Sequence, residues 1–153
     1  MKTTATSVPF EDLHIGDEAI FEREVTEGDV RAFASLSGDT NPMHLDEAYA
    51  RTTRFGGRVV HGALASAHLS AALATQLPGP GTIYLEQSIR FRRPTRIGDV
   101  LTTRVRVVER REDKKFVRLS AEITNQSGEA VATGEALVLP PEHRQRFELP
   151  DRA

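Results

Sequence analysis

From Thr26 the apolar residues Val30, Phe33, Ala34 and Leu36 recur three and four positions apart, the spacing that lines up side chains along one face of a helix. Thr26, with Asp29 three residues on, supplies a helix start because a short oxygen-bearing side chain satisfies a free N–H of the first turn. Ser37-Gly38 ends the run. Ahead of it, Glu18 to Val25 carries a partial alternation through Ala19 and Phe21 and predicts a strand. Asp46 predicts the cap of a short helix over Glu47 to Thr53, broken by Gly56-Gly57. His61 to Gln76 predicts the long helix, closed by Pro78-Gly79-Pro80-Gly81.

The period changes at Thr82. Four stretches rich in β-branched residues follow, Thr82 to Arg93, Val100 to Arg110, Lys115 to Asn125 and Ala130 to Leu139, with turn signals between them. In the third, Val117, Leu119, Ala121 and Ile123 alternate with Arg118, Ser120, Glu122 and Thr124, as a half-buried antiparallel strand requires. Pro94 and Gly98-Asp99 separate the first two stretches, Arg111-Glu112-Asp113 turns the chain, and Asn125 to Gly128 makes a hairpin loop. One strand, helices, then a meander of strands predict an α+β domain whose antiparallel sheet covers the long helix. A single domain over residues 1–153 is expected, with a core over about 10–140 and a polar, loosely held tail over 141–153.

Length and composition agree with this picture. At 153 residues, 39% apolar and 27% charged, the chain suits one soluble globular unit. A formal charge of -2 offers no general attraction for nucleic acid, and the absence of cysteine rules out disulfides and thiolate metal sites. The first ten residues lack the apolar core of a signal peptide, so a cytoplasmic location is expected. Val59 to Leu85 contains no Asp, Glu, Lys or Arg and is long enough to span a bilayer. Its apolar character rests largely on alanine, however, and His61, Ser66, His68, Ser70, Thr75 and Gln76 interrupt it, so a helix enclosed by protein is expected and no membrane contact.

The candidate chemistry lies in Leu36-Ser37-Gly38-Asp39-Thr40-Asn41-Pro42-Met43-His44, where a carboxylate and an imidazole stand five positions apart. Pro42 pushes Asn41 toward extended backbone, Gly38 turns where a side chain would clash, and Asn41 is a turn former, so the segment is expected to be a shaped loop. Such a loop can point Asp39 and His44 into one pocket for acid–base work on a water molecule. The same residues also fit a plain Asx turn with a surface histidine.

The longer run Phe33 to His44, with Ala50 six residues on, resembles the signature of MaoC-like dehydratases and, more narrowly, of the (R)-specific enoyl-CoA hydratases. The resemblance continues through Thr52-Thr53-Arg54-Phe55, Val60-His61-Gly62, Leu77 to Leu85, Gly98-Asp99 and Thr133-Gly134-Glu135-Ala136. Met43 departs from the family's Leu, Ile or Val and keeps an apolar volume. The resemblance implies a hot-dog fold, an antiparallel sheet wrapped around a long central helix, and a homodimer or a multiple of it with active sites near the subunit interface. It also implies an acyl-CoA thioester substrate, with coenzyme A part of that substrate and no separate cofactor. The expected reaction is reversible addition of water to a trans-2-enoyl-CoA, giving the (R)-3-hydroxyacyl-CoA. The pathway stays open between polyester precursor supply, fatty-acid metabolism and another acyl-CoA route.

In that reaction Asp39 is the expected main base, while His44 holds the same water and takes part in proton delivery. Gly62, at the start of the long helix, either donates its backbone N–H to the thioester oxygen or merely permits a tight helix entry. Asn41 anchors the loop and helps place the water, or only forms the turn. Ser70 either faces the pocket, as the corresponding family position does, or only packs or bonds back to its own helix, and Leu73 either touches the acyl chain or belongs to the core. The cluster Arg90, Arg92, Arg93 and Arg96 reads equally as a coenzyme A phosphate site and as a charged strand edge. No metal is expected, because His61 and His68 are seven positions apart and lack the i, i+4 spacing of a zinc helix. Dehydration of 3-hydroxyacyl groups on acyl carrier protein, a non-catalytic acyl-thioester-binding subunit and a thioesterase are the alternatives on this fold.

Overall fold

The structure, a computed structural model, describes residues 3–150. In chain order its elements are β1 (Thr4–Thr6), β2 (Glu18–Glu24), α1 (Glu27–Ser37), α2 (Pro42–Leu45), α3 (Glu47–Ala50), α4 (Gly62–Thr75), β3 (Ile83–Phe91), β4 (Val100–Arg111), β5 (Phe116–Thr124), β6 (Ala130–Leu139) and β7 (Arg146–Glu148). A turn of 3-10 helix, Phe10–Asp12, lies between β1 and β2.

The helix ends follow from side-chain chemistry. Thr26 Oγ1 accepts from the Asp29 N–H at 3.1 Å while the Asp29 carboxylate accepts from the Thr26 N–H at 2.9 Å, a reciprocal cap that starts α1. Gly38 closes α1 at φ +79°, a left-handed conformation that costs any other residue energy. Asn41 Oδ1 accepts from the Met43 N–H and Pro42 takes the first position of α2, so the predicted loop winds into a one-turn helix carrying His44. The helix expected to run from Glu47 to Thr53 stops at Ala50 and continues as turns. The His61–Gln76 helix is α4, with those two residues as its caps.

Five strands form one antiparallel sheet in the order β2-β4-β5-β6-β3. β4, β5 and β6 are the expected meander. β3 departs from it, pairing with β6 rather than with its sequence neighbour β4, because the Arg92–Asp99 connection carries the chain across the sheet. The inward residues of β5 are the predicted Val117, Leu119, Ala121 and Ile123, all buried. Val117, Leu119 and Ala121 pack with Leu69 and Leu73 of α4 and with Phe21, Val105 and Val138 in one cluster, while Ile123 belongs to another. A second cluster nearer the start of α4 joins Leu64, Ala65 and Val60 to Val25, Val30, Leu101 and Val131. The sheet therefore wraps around α4 as a hot-dog fold, but the helix is not enclosed on every side: Ala63, Ala67, Ser70 and Ala74 remain exposed.

Over residues 141–150 the tail corrects the expectation of a loose end; the rest of the expected tail, 151–153, lies outside the described residues. β7 pairs with β1 through Thr4↔Glu148, Ala5↔Phe147 and Thr6↔Arg146. Arg144 bonds Asp12 at 3.1 Å, and the Ser7 hydroxyl donates to the Pro80 carbonyl at 2.6 Å. Ala5 and Ser7 are buried, so ordered packing begins before residue 10. Polar composition concealed this because the pairing joins segments about 140 residues apart and its energy comes from backbone hydrogen bonds.

Candidate active site

His44 is fixed twice. Its Nδ1 lies 2.7 Å from the Val59 carbonyl, which only accepts, so Nδ1 carries the proton and Nε2 of the neutral ring keeps its lone pair. The Arg58 Nε donates to the His44 carbonyl at 2.6 Å, and the Arg58 guanidinium also binds Glu27 at 3.0 and 3.2 Å. Arg58 in turn holds the Glu27 carboxyl below its ordinary value, the hydrogen bond between them being the largest cause. These bonds tie α1, α2 and the segment before α4 into one frame around the imidazole.

Asp39 stands opposite. Its N–H donates to Ser37 Oγ at 3.1 Å and its Oδ1 accepts from the Asn41 N–H at 3.2 Å. Oδ2 is left facing His44 Nε2 at 3.9 Å. That separation is too long for a hydrogen bond, and it leaves two acceptors side by side, each within reach of one small hydroxylic molecule. The His44 side chain is 10% exposed and that of Asp39 47%, so the pair joins a sheltered wall to an open rim.

Beside His44 lies a cavity of about 350 Å³ whose lining includes Met43, Phe55, Val59, Val60, Ala65, Phe91 and Val131, with Gly62 in its wall. Gly62 opens α4, and no side chain caps that terminus, so the N–H groups of the first turn are not consumed by a cap. A Cβ at Gly62 would meet the Phe91 ring at 2.9 Å, so only glycine allows the ring to lie against the helix entry.

The structure thus brings Asp39, His44 and Gly62 to one end of α4. Asn41 is at the same loop, but its side-chain oxygen is spent on capping α2. Ser70 and Leu73 are not brought there. Ser70 faces outward from the open side of α4, and Leu73, 1% exposed, is packed among sheet residues: three positions leave the two side chains about 60° apart round the helix, enough to put them on either side of the boundary between exposed stripe and core. Of the four arginines, Arg96 is committed elsewhere: its guanidinium donates to the carbonyls of Phe55, Gly57 and Arg58 and latches the segment before α4. Arg92 and Arg93 lie at the cavity rim, bonded to Thr133 and Glu129.

Arg58, Val59 and Phe91 act on the site without any sign in the sequence, since their contacts span 14 residues or more. His61 and His68 do not come together as a metal pair; His68 packs edge-on against Phe21. Donor atoms of Asp39, His44 and His61 do lie within 4.8 Å of one another. The two imidazoles are stacked, centroids 3.9 Å apart with a 31° tilt, and each has one ring nitrogen on a backbone carbonyl, Val59 for His44 and Asp39 for His61.

A helix wrapped in an antiparallel sheet, with a carboxylate and an imidazole at its entry beside an apolar cavity, defines a hot-dog protein equipped for acid–base chemistry. The model of the family described as MaoC like domain matches residues 13–129, and the chain belongs to that family. It is 46% identical over 132 residues to an (R)-specific enoyl-CoA hydratase of Rhodospirillum rubrum, with 86% of this chain and 91% of the relative covered. It is 41% identical over 136 residues to a 3-hydroxybutyryl-CoA dehydratase of Methylorubrum extorquens, with 89% and 86% covered. Among solved structures, the R-hydratase PhaJ1 of Pseudomonas aeruginosa in its unliganded form matches with a TM-score of 0.92 at 43% identity, over 99% of this chain and 97% of that one.

Proposed function

We propose that the protein is an (R)-specific enoyl-CoA hydratase that adds water reversibly to trans-2-enoyl-CoA. The observation that carries this reading is the pair of acceptors, Asp39 Oδ2 and His44 Nε2, 3.9 Å apart, with His44 in the wall of an apolar cavity and Asp39 outside its lining. A water held by both directs its two O–H bonds at them and its free lone pair at the β-carbon. As the C–O bond forms, Asp39 takes a proton, and the π electrons move through the α-carbon toward the thioester oxygen. The Gly62 N–H, backed by the positive end of α4, stabilises that developing charge. The α-carbon then gains a proton from the pair, the equivalent of the one removed from water, which restores the thioester and leaves the enzyme unchanged. Asp39, His44 and Gly62 are the catalytic groups in this scheme, and Asn41 holds the loop that presents Asp39.

The substrate brings its own coenzyme A, so no cofactor is called for. A second copy of the chain covers the exposed face of α4 and the free edge of β3, where Ile83, Leu85 and Phe91 are exposed. Ser70 lies on that face, and contact with substrate would come to it across the subunit boundary. No helix among the described residues is long and apolar enough to cross a membrane, and we place the enzyme in the cytoplasm.

The test follows loss of the conjugated enoyl-thioester absorbance with crotonyl-CoA for wild type, Asp39→Asn and His44→Gln. Each variant is expected to keep its fold and lose roughly 10² to 10⁴ in kcat. Equal inertness of wild type and both variants across chain lengths, on coenzyme A and acyl-carrier-protein thioesters alike, overturns the reading. Chiral analysis of the product tests the (R) assignment.

A further inference from the structure

His61 is 1% exposed and lies one residue before Gly62, yet the scheme above gives it no part. It is the N-cap of α4, but its side chain caps nothing in that helix. Its Nε2 lies instead 2.9 Å from the backbone carbonyl of Asp39, which only accepts, so Nε2 carries the proton. The ring is held on its faces by His44, with centroids 3.9 Å apart, and by Phe33 at 4.8 Å. Its other nitrogen, Nδ1, is buried with no hydrogen-bond partner among the described residues.

This is a poor choice for packing alone. A buried imidazole with one nitrogen unpaired is less stable than an apolar side chain of similar size, and an N-cap position favours a short hydroxyl or carboxamide. What His61 supplies, and an apolar residue would not, is one N–H aimed at the backbone of Asp39 and a flat face against His44. Both members of the pair are thereby referenced to the N-cap of the helix that Gly62 opens. We propose that His61 is a positioning residue for the hydration step: its Nε2–H holds the backbone of Asp39, and its ring sets the plane of His44, so that the two acceptors keep their spacing over the Gly62 N–H. The proposal rests on the hydratase reading of the site.

The test compares His61→Gln, His61→Met and His61→Phe with wild type in the full chain, measuring kcat, KM and Tm with crotonyl-CoA. Glutamine puts an amide N–H near the place of Nε2–H, methionine has the same reach without a donor, and phenylalanine keeps a flat ring without one. Misplacing a reacting group by about 1 Å costs on the order of 10²-fold, so Met and Phe are expected to lose about 10- to 100-fold in kcat with KM within about twofold. Their Tm is expected at or above that of wild type, because the unpaired Nδ1 is gone, and Gln is expected to recover most of the lost kcat. The proposal is overturned if Met keeps the wild-type kcat, if Gln falls as far as Met, or if the loss of kcat simply follows a loss of Tm. Should Phe not fold, the Gln and Met pair decides alone. A wild type inert on every enoyl thioester removes the hydratase reading and this proposal together, whereas an active wild type with an equally active Met variant removes this proposal only.

Discussion

Two side chains three positions apart on one helix have opposite fates. Leu73 is packed among Leu69, Val105, Leu119 and Val138, whereas Ser70, three residues earlier, points away from the sheet. Emptying a buried leucine leaves a cavity that the surroundings only partly close, so Leu73→Ala is expected to lower unfolding free energy by about 2–5 kcal/mol. Relative kcat/KM values on four- and eight-carbon enoyl thioesters are expected to stay unchanged. Urea unfolding and the two rates check this, and a shifted chain-length preference at unaltered stability would return Leu73 to the substrate. Asp39 behaves in the opposite way: its side chain is 47% exposed and its carboxylate accepts only from the neighbouring Asn41 N–H, so losing its charge is expected to lower kcat and scarcely to touch the fold.

At the scale of elements, the frame around His44 depends on charge between α1 and the segment before α4. Glu27, in the first turn of α1, is held below its ordinary pKa by the Arg58 hydrogen bond, and Arg58 carries that contact on to the His44 carbonyl. A carboxylate whose pKa is depressed in the folded state contributes stability above its unfolded value, and that contribution disappears as the pH falls through the folded value. Because the Glu27 side chain is 43% exposed, solvent screens the pair and the expected cost of Glu27→Gln at pH 7 is about 0.2–1 kcal/mol. The gap between wild type and variant is expected to narrow as the pH is lowered from 7 to below the ordinary glutamate range, as measured by urea midpoints at the two ends. A gap of the same size at both would show that the carboxylate charge plays no part.

At the scale of the molecule, α4 presents its small residues to the outside. Ala63, Ala67, Ser70 and Ala74 form an exposed line along one side of a helix whose other side is core, and β3 has an unpaired edge. Small side chains let another backbone approach closely, which is the use we assign to this face. Ala67→Glu is expected to place unpaired charges in the contact between copies and give a monomer by sedimentation. If the variant keeps the wild-type mass, the second copy docks elsewhere or is absent.

Local chemistry was enough to read much of this protein from its chain. The Thr26–Asp29 cap, the left-handed Gly38, the limits of α4 and the alternation of β5 all depend on neighbours within a few residues, and each is where the pattern puts it. The Phe33–His44 run resembled the family's signature, and its Gly, Asn and Pro shape the backbone locally. Tertiary structure alone decided what depends on contacts between distant segments: the place of β3 beside β6, the pairing of β1 with β7, and the separation of Leu73 from the cavity. It likewise decided that the Val59 carbonyl sets the tautomer of His44 and that His61 bonds the backbone of Asp39. A carbonyl or an N–H is present at nearly every residue, so no side-chain pattern announces which of them the folded chain will bring to the site.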